Sequence, residues 1–285
     1  MKIVSLLFIT LISFQARSNE VLVLVPGFFN SFTPEYFSND VVSAFTKKGM
    51  KTYVAKGLNP IGTIADNGSR LEIILDQIKA LEGQKVQFNI VAHSAGGFYS
   101  LWVAHRQKFT IKNLYTISTP YKGVEFIQTW IDKSFLFRTL TELAYLEGLK
   151  ELSASGVQSF LNTVRVSPET KIIAFGGFQE EGLDITDARN ISVPLRVTSH
   201  FISSKSDGIV AYSSALGLGS IKTTESKQAQ QFLVSNIAIK LEHWEQVLEP
   251  NAFIFLGVRN IGYIQREQIR FYSSLADYVL KSGKN

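Results

Sequence analysis

Cysteine is absent from the 285-residue chain, and histidine occurs at only four positions. The absence of cysteine excludes disulfides, thiolate catalysis and cysteine-ligated metal sites. No internal repeat or low-complexity tract is present. The apolar run near the N-terminus is shorter than the roughly 20 residues that a membrane-spanning helix needs, and no later run is long and apolar enough. Since 45% of the residues are hydrophobic, the composition is that of one large domain with a packed core.

The N-terminus carries the features of a secretory signal peptide. Lys2 precedes the apolar run 3–14, and Ala16 and Ser18 are small residues at the −3 and −1 positions of a cleavage site. We therefore expect residues 1–18 to be removed and residues 19–285 to form the domain of an exported, periplasmic or secreted protein. The mature chain is expected to contain no transmembrane segment.

Charge gives little indication of a binding partner. The full chain has a formal net charge of +5, and loss of Lys2 and Arg17 leaves 27 basic against 24 acidic residues, or +3. The densest basic cluster, at positions 47, 48 and 51, is typical of a solvated helix end. No nucleic-acid partner is expected.

Buried strands alternate with helices along most of the chain. The runs "VLVLVPGF" (21–28) and "KVQFNIVAHS" (85–94) are apolar throughout, whereas "SRLEIILDQIKALEG" (69–83) has the period of an amphipathic helix. This alternation predicts an α/β fold with a mostly parallel sheet flanked by helices. Residues 121–165 interrupt it as an apolar, mainly helical insertion, placed where a cap or lid would cover a site at the carboxyl ends of the strands.

The stretch "NIVAHSAGG" (89–97) has the pattern of a nucleophile elbow. In such an elbow a serine occupies a sharp strand-to-helix turn, and the residues two before and two after it must be small. Ala92 and Gly96 satisfy this requirement around Ser94. The alternative is that the Ser94 hydroxyl only caps the following helix.

A catalytic base must follow the serine in the chain order serine, acid, histidine. His93 adjoins Ser94 and is expected to point away from it, and His105 lies three turns along the next helix. His200 precedes the best acid and fits a core or surface role. His243, in "KLEHWEQ", is the candidate base.

Asp207 in "SSKSDGIVAYSSALG" is the candidate acid, since a carboxylate on this turn could orient an imidazole. The alternative is an aspartate that merely supports a turn together with Gly208. Asp184 and Asp187 compete from a polar loop.

An oxyanion hole needs two preorganised backbone N–H groups. We expect one from Ala95, beside the nucleophile at a helix N-terminus. The second is expected from Phe28, in the loop after the first strand, which Pro26 and Gly27 shape.

With these residues placed, the chain resembles the bacterial true lipases, the secreted triacylglycerol lipases of the α/β-hydrolase fold. The motifs in question occur in the family's order: "VLVLVPGF", "NIVAHSAGG", "ISTPYKG" (117–123), "SDGIVAYSSALG" (206–217), and "EHWEQ" (242–246) followed by "LGVR" (256–259). The resemblance covers most of residues 21–280. It implies a serine carboxylic-ester hydrolase with catalytic Ser94, Asp207 and His243.

The chain departs from the family pattern at several positions. Pro26 stands where a histidine commonly precedes the oxyanion-loop glycine, Tyr121 stands for another histidine, and 223–236 looks like an insertion between acid and base. Many relatives bind structural calcium through an aspartate two residues after the catalytic histidine. Glu245 occupies that position and no second ligand matches by motif. Calcium therefore stays an open question, and no cofactor is expected to be required.

The predicted substrate is an acyl ester or lipid. Apolar residues at helical spacing in the insertion are expected either to pack in the core or to contact lipid surfaces transiently; they are Phe126, Ile127, Trp130, Ile131, Phe135, Leu136, Leu140 and Leu143. Two alternatives remain open at this point. One is a phospholipase or acyltransferase of the same fold, and the other is a non-catalytic lipid-binding relative.

Overall fold

A computed structural model of the chain describes residues 20–31, 35–125, 127, 147–179, 202, 205–217, 219–225, 229–252 and 261–282. The predicted signal peptide lies outside these ranges, as do most of the central part of the predicted cap and the "LGVR" motif.

Strands and helices alternate through the first half of the chain, as predicted. The strands are β1 (Glu20–Val25), β2 (Thr52–Val54), β3 (Gln87–His93), β4 (Ile111–Ile117), β5 (Lys171–Phe175), β6 (Ser220–Lys222) and β7 (Ala229–Val234). The described helices are α1 (Asn39–Thr46), α2 (Ile64–Glu82), α3 (Gly96–Arg106), α4 (Glu147–Glu151), α5 (Ala154–Thr163), α6 (Tyr212–Ala215) and α7 (Ile261–Ser282).

The seven strands form one sheet in the order β2-β1-β3-β4-β5-β7-β6. All neighbours pair in parallel except the edge strand β6, which is antiparallel to β7. The β1–β3 register aligns Val25 with Ala92, and the β3–β4 register aligns His93 with Ile117. The carboxyl ends of β1, β3 and β4 therefore meet at one edge, where ligands bind in open α/β sheets.

The centre of the sheet is buried on both faces, and β1 shows why. In β1, Val21, Val23 and Val25 contribute to one core, whereas Leu22 and Leu24 contribute to the other. Successive side chains of a strand point to opposite faces, so a fully apolar run serves two helical layers. Helices α2 and α3 cover the first face, and α1 and α7 cover the second.

Two elements differ from the sequence prediction. Helix α2 begins at Ile64, five residues before the predicted start, because the Thr63 hydroxyl caps it by accepting from the Asp66 N–H. The segment 223–236, interpreted as an insertion, contains β7, which pairs in parallel with β5 and extends the sheet. Its polar first half hid the strand, and in β7 Phe232 is buried while Leu233 and Val234 are exposed.

The described ends of the predicted cap segment pack into the first core. Tyr121, Val124 and Ile127 are buried there before the undescribed part, and Leu152 and Val157 after it. Ile127 therefore takes the core role left open for the apolar stripe, whereas the other seven stripe residues lie outside the described ranges. No helix in the described ranges is long and apolar enough to cross a bilayer.

Candidate active site

Ser94 occupies a strained turn between β3 and α3. Its φ is 55°, in the left-handed region, and its N–H donates to the Ile117 carbonyl at 2.9 Å. Gly96 allows this turn to pack under the first strand, because a Cβ there would lie 2.6 Å from the Val25 carbonyl oxygen and 2.7 Å from that of Pro26. The local geometry is that of the predicted elbow.

The Ser94 hydroxyl does not cap the following helix. The N-cap of α3 is Ala95, and no side chain caps this helix end. Ser94 Oγ instead lies 2.9 Å from His243 Nε2, and the serine is largely buried. The Ser94 hydroxyl therefore contacts an imidazole and leaves the helix N-terminus uncapped.

His243 links Ser94 to Asp207. Its Nδ1 lies 2.8 Å from Asp207 Oδ2, and its backbone N–H donates to the Asp207 carbonyl at 2.9 Å. A carboxylate only accepts, so Nδ1 carries the hydrogen and Nε2 is left to accept from the serine hydroxyl. The three side chains are separated by as many as 149 residues in sequence, and folding brings them into one hydrogen-bonded row.

Asp207 combines the two roles that the sequence analysis treated as alternatives. Its Oδ1 accepts from the backbone N–H groups of Ile209 at 3.1 Å and Val210 at 2.8 Å, which fixes the turn. Its Oδ2 accepts from His243. Because the side chain is fully buried, these bonds replace the water that would otherwise solvate the carboxylate.

Gln246 is a site residue that the sequence analysis missed. Its Nε2 donates to Asp207 Oδ2 at 2.9 Å, and its Oε1 accepts from the Ser118 hydroxyl at 2.8 Å. Both residues are fully buried, and Ser118 has a left-handed φ of 50°. The only sequence signal was its position three residues after His243, which indicates proximity but no partner.

The loop after β1 lies directly against the nucleophile. A Cβ at Gly27 would lie 2.7 Å from Ser94 Cβ, so only glycine allows this approach. Asn30 Nδ2 donates to the Gly27 carbonyl at 3.0 Å, and the Phe29 N–H donates to the Pro60 carbonyl at 2.8 Å. Within the described residues, no acceptor receives the N–H of Phe28 or of Ala95. With respect to the described part of the chain, both predicted oxyanion donors are therefore available.

A cavity of about 530 Å³ borders this loop. Pro26, Asn30 and Tyr36 line it together with the apolar side chains of Val42 and Val54. Its volume lies within the range of sites that hold small ligands.

Among the described residues, His105 and His93 are not members of the row. His105 Nδ1 accepts from the Arg165 N–H at 3.2 Å, which ties α3 to the segment after α5. His93 is fully buried, and its Nδ1 lies 2.8 Å from the Tyr36 hydroxyl. His200, Asp184 and Asp187 lie outside the described residues.

Glu245 is poorly suited to bind calcium. It is buried, and burial together with the neighbouring Glu242 raises its pKa well above the usual value, which favours the neutral carboxyl over an ionised ligand. Among the described residues, no three histidines or carboxylates come together to hold a metal ion. We therefore derive no step through calcium.

Comparisons with known proteins identify the fold. No protein-family model and no curated protein sequence matches the chain. Among solved structures, a metagenomic carboxyl esterase superposes with a TM-score of 0.70 at 14% identity, over 93% of this chain and 77% of the esterase. The Staphylococcus hyicus lipase gives 0.62 at 15% identity, over 94% and 97%. Lipase 1 from Pelosinus fermentans gives 0.61 at 14% identity, over 92% and 98%.

These identities are too low to transfer an activity, but the superpositions extend over almost the whole chain. Together with the parallel sheet and the elbow after β3, they show that the chain has the α/β-hydrolase fold, in an architecture shared with bacterial lipases and esterases.

Proposed function

We propose that the chain is an exported serine hydrolase of carboxylic esters, a lipase or esterase that acts on acyl esters of the triacylglycerol type. The observation that carries the proposal is the buried row Ser94–His243–Asp207, with distances of 2.9 and 2.8 Å. A serine hydroxyl is a weak nucleophile until a base accepts its proton, and this row supplies that base together with a carboxylate to orient it. The named activities of the structural neighbours agree with this class.

The geometry supports an acyl-enzyme mechanism. Ser94 Oγ attacks the ester carbonyl while its proton passes to His243 Nε2, and Asp207 stabilises the imidazolium through Nδ1–H. The N–H groups of Phe28 and Ala95 donate hydrogen bonds to the carbonyl oxygen and stabilise the negative charge that develops on it. His243 returns the proton to the leaving alcohol. Water then attacks the acyl-Ser94 ester by the same route and releases the acid.

The first prediction concerns Ser94. Replacement of Ser94 by alanine removes the nucleophile, and we expect hydrolysis of 4-nitrophenyl esters to fall by at least about 10³-fold. Ser100→Ala is the matched control. Ser100 is also buried and lies in the N-terminal half of α3, but its hydroxyl donates to the Gly96 carbonyl at 2.8 Å. This control should retain most of the activity.

Intact and peptide mass spectra should show that a fluorophosphonate labels the wild-type protein once, at Ser94. The intact mass should equal that of a mature chain whose first residue is Asn19. Folded wild-type protein that takes up no label and hydrolyses no ester, with or without detergent, would favour the non-catalytic alternative. A Ser94→Ala variant that keeps its activity would exclude Ser94 as nucleophile. A panel of triacylglycerols, phospholipids and short soluble esters then defines the substrate class.

A further inference from the structure

Tyr36 is a buried phenol for which the mechanism above has no role. It lies between the loop after β1 and helix α1, and its side chain is 7% exposed. Its hydroxyl lies 2.8 Å from His93 Nδ1, across 57 residues of sequence. His93 is the residue immediately before Ser94, so Tyr36 contacts the strand end that carries the nucleophile.

The same hydroxyl also lies against the oxyanion loop. A Cβ at Gly27 would come within 3.0 Å of it, and the Gly27 main chain lowers the pKa of the phenol, although burial is the larger effect and raises it. One oxygen atom thus bonds to the residue before Ser94 and lies close to the main chain of Gly27, the residue before Phe28. These are the two backbone segments whose spacing determines where an oxyanion can be held.

His93 is suited to accept from Tyr36 because it stays neutral. Burial, and then the nearby His243, hold the pKa of His93 well below its usual range, although the Gln246 side chain and the His243 main chain work in the opposite direction. The two imidazole rings lie 4.6 Å apart. A neutral ring leaves one nitrogen free to accept, and the phenol O–H can donate to Nδ1.

The side chain of Pro26 cannot help to fix the loop after β1. The chain has Pro26 where the family that it resembles commonly has histidine, and proline offers no side-chain donor. We propose that Tyr36 is a positioning residue that fixes the Phe28 N–H relative to Ser94 by joining Gly27 to His93. This inference rests on the proposed ester hydrolysis, since it concerns the oxyanion of that reaction.

The test is Tyr36→Phe, which removes one hydroxyl and keeps the ring. We expect kcat per fluorophosphonate-titrated site to fall roughly 10- to 100-fold, less than the loss of a whole oxyanion donor, with KM changed by less than about twofold. Affinity for butylboronic acid, whose tetrahedral adduct on serine carries the oxyanion, should fall by the same factor as kcat/KM. Tyr272→Phe is the matched control, because Tyr272 is fully buried and its hydroxyl has no hydrogen-bond partner among the described residues.

A second pair of variants tests the link through His93. Asparagine can place an acceptor where Nδ1 stands, whereas leucine cannot, so His93→Asn should retain more activity than His93→Leu. In the His93→Leu background, Tyr36→Phe should cause little further loss, because the link is already broken.

The inference is overturned if Tyr36→Phe keeps wild-type kcat and boronate affinity, or if the losses from Tyr36→Phe and His93→Leu simply multiply. Both results leave the proposed function intact, because the wild-type protein is active in them. An inactive wild-type protein would instead overturn the proposed function itself, and the inference with it.

Discussion

At the residue scale, the site depends on how a buried carboxylate is compensated. Asp207 receives two backbone N–H groups on Oδ1, and His243 and Gln246 on Oδ2. A buried charge without such donors is strongly unfavourable, so the turn 207–210 and Gln246 belong to the site as much as His243 does. The Ser118 hydroxyl in turn fixes the Gln246 side chain by donating a hydrogen bond to its Oε1.

The buried imidazole of His93 should make the free energy of unfolding depend on pH. The folded chain keeps this ring neutral, because burial and His243 hold its pKa well below the usual 6.5. Below about pH 6.5 the unfolded chain therefore binds a proton that the folded chain does not bind, and the free energy of unfolding decreases as the pH falls. For a single group the slope reaches about 1.4 kcal/mol per pH unit.

We expect His93→Asn to remove this component. Denaturant unfolding of the two proteins at several pH values between 8 and 5 measures it directly. The variant should gain stability relative to the wild type below pH 6.5, and their difference should be constant above pH 7, where His93 is neutral in both states. The neighbours Tyr36, Gln246 and His243 are the same in both proteins. Parallel stability curves down to pH 5 would contradict the prediction.

At the element scale, helix α3 must begin very close to the end of β1. Gly96 makes this possible, because a Cβ there would overlap main-chain oxygens of Val25 and Pro26. Gly97 allows a separate close approach to the segment after β4, since its Cβ would lie 2.2 Å from Thr119 Oγ1. Main-chain atoms cannot rotate away as a flexible side chain can. The elbow and the loop after β1 are thus held against each other by packing.

Gly96→Ala should accordingly destabilise the fold by about 1–3 kcal/mol, the usual cost of overpacking, and should reduce ester hydrolysis by displacing the oxyanion loop. Gly262→Ala is the matched control within a helix, since among the described residues its Cβ would meet only the flexible end of Arg266 at 3.3 Å. Alanine is favoured over glycine in helices, so this variant should be neutral or slightly more stable. Thermal unfolding of both variants decides the matter. A stable, fully active Gly96→Ala protein would show that the loop does not depend on this contact.

At the scale of the whole molecule, the sheet separates two cores, and the site lies at the strand ends between them. Both described ends of the segment 121–165 pack into the core that α2 and α3 cover. The apolar stripe in the undescribed part of this segment remains a prediction from sequence, as does its role as a lid.

If that stripe contacts lipid surfaces, the rate should rise abruptly when a short-chain ester is taken from below to above its solubility limit. The physical reason is that adsorption to the aggregate would bury apolar surface of the segment and open access to Ser94. Initial rates measured in a pH-stat across that limit test this, with the soluble range as internal control. A single smooth saturation curve would speak against a mobile lid.

Much of this architecture follows from local sequence patterns. Apolar runs predicted β1 and β3, and small residues around Ser94 predicted the elbow, because strand burial and a sharp turn each place demands on adjacent residues. Chain order singled out His243, and a turn with a free carboxylate singled out Asp207. The loop after β1 suggested Phe28 in the same way.

Only the tertiary structure could show that these candidates meet. Ser94, Asp207 and His243 come from distant parts of the chain, and no local pattern encodes their 2.9 and 2.8 Å contacts. The same holds for Gln246 and Tyr36, whose partners are set by packing and not by spacing. It also holds for β7, which follows a polar stretch and joins the sheet by pairing with β5. The sequence by itself determined which chemical groups are present and the order of the elements. The tertiary fold decided which of those groups touch, because long-range contacts depend on how whole layers pack.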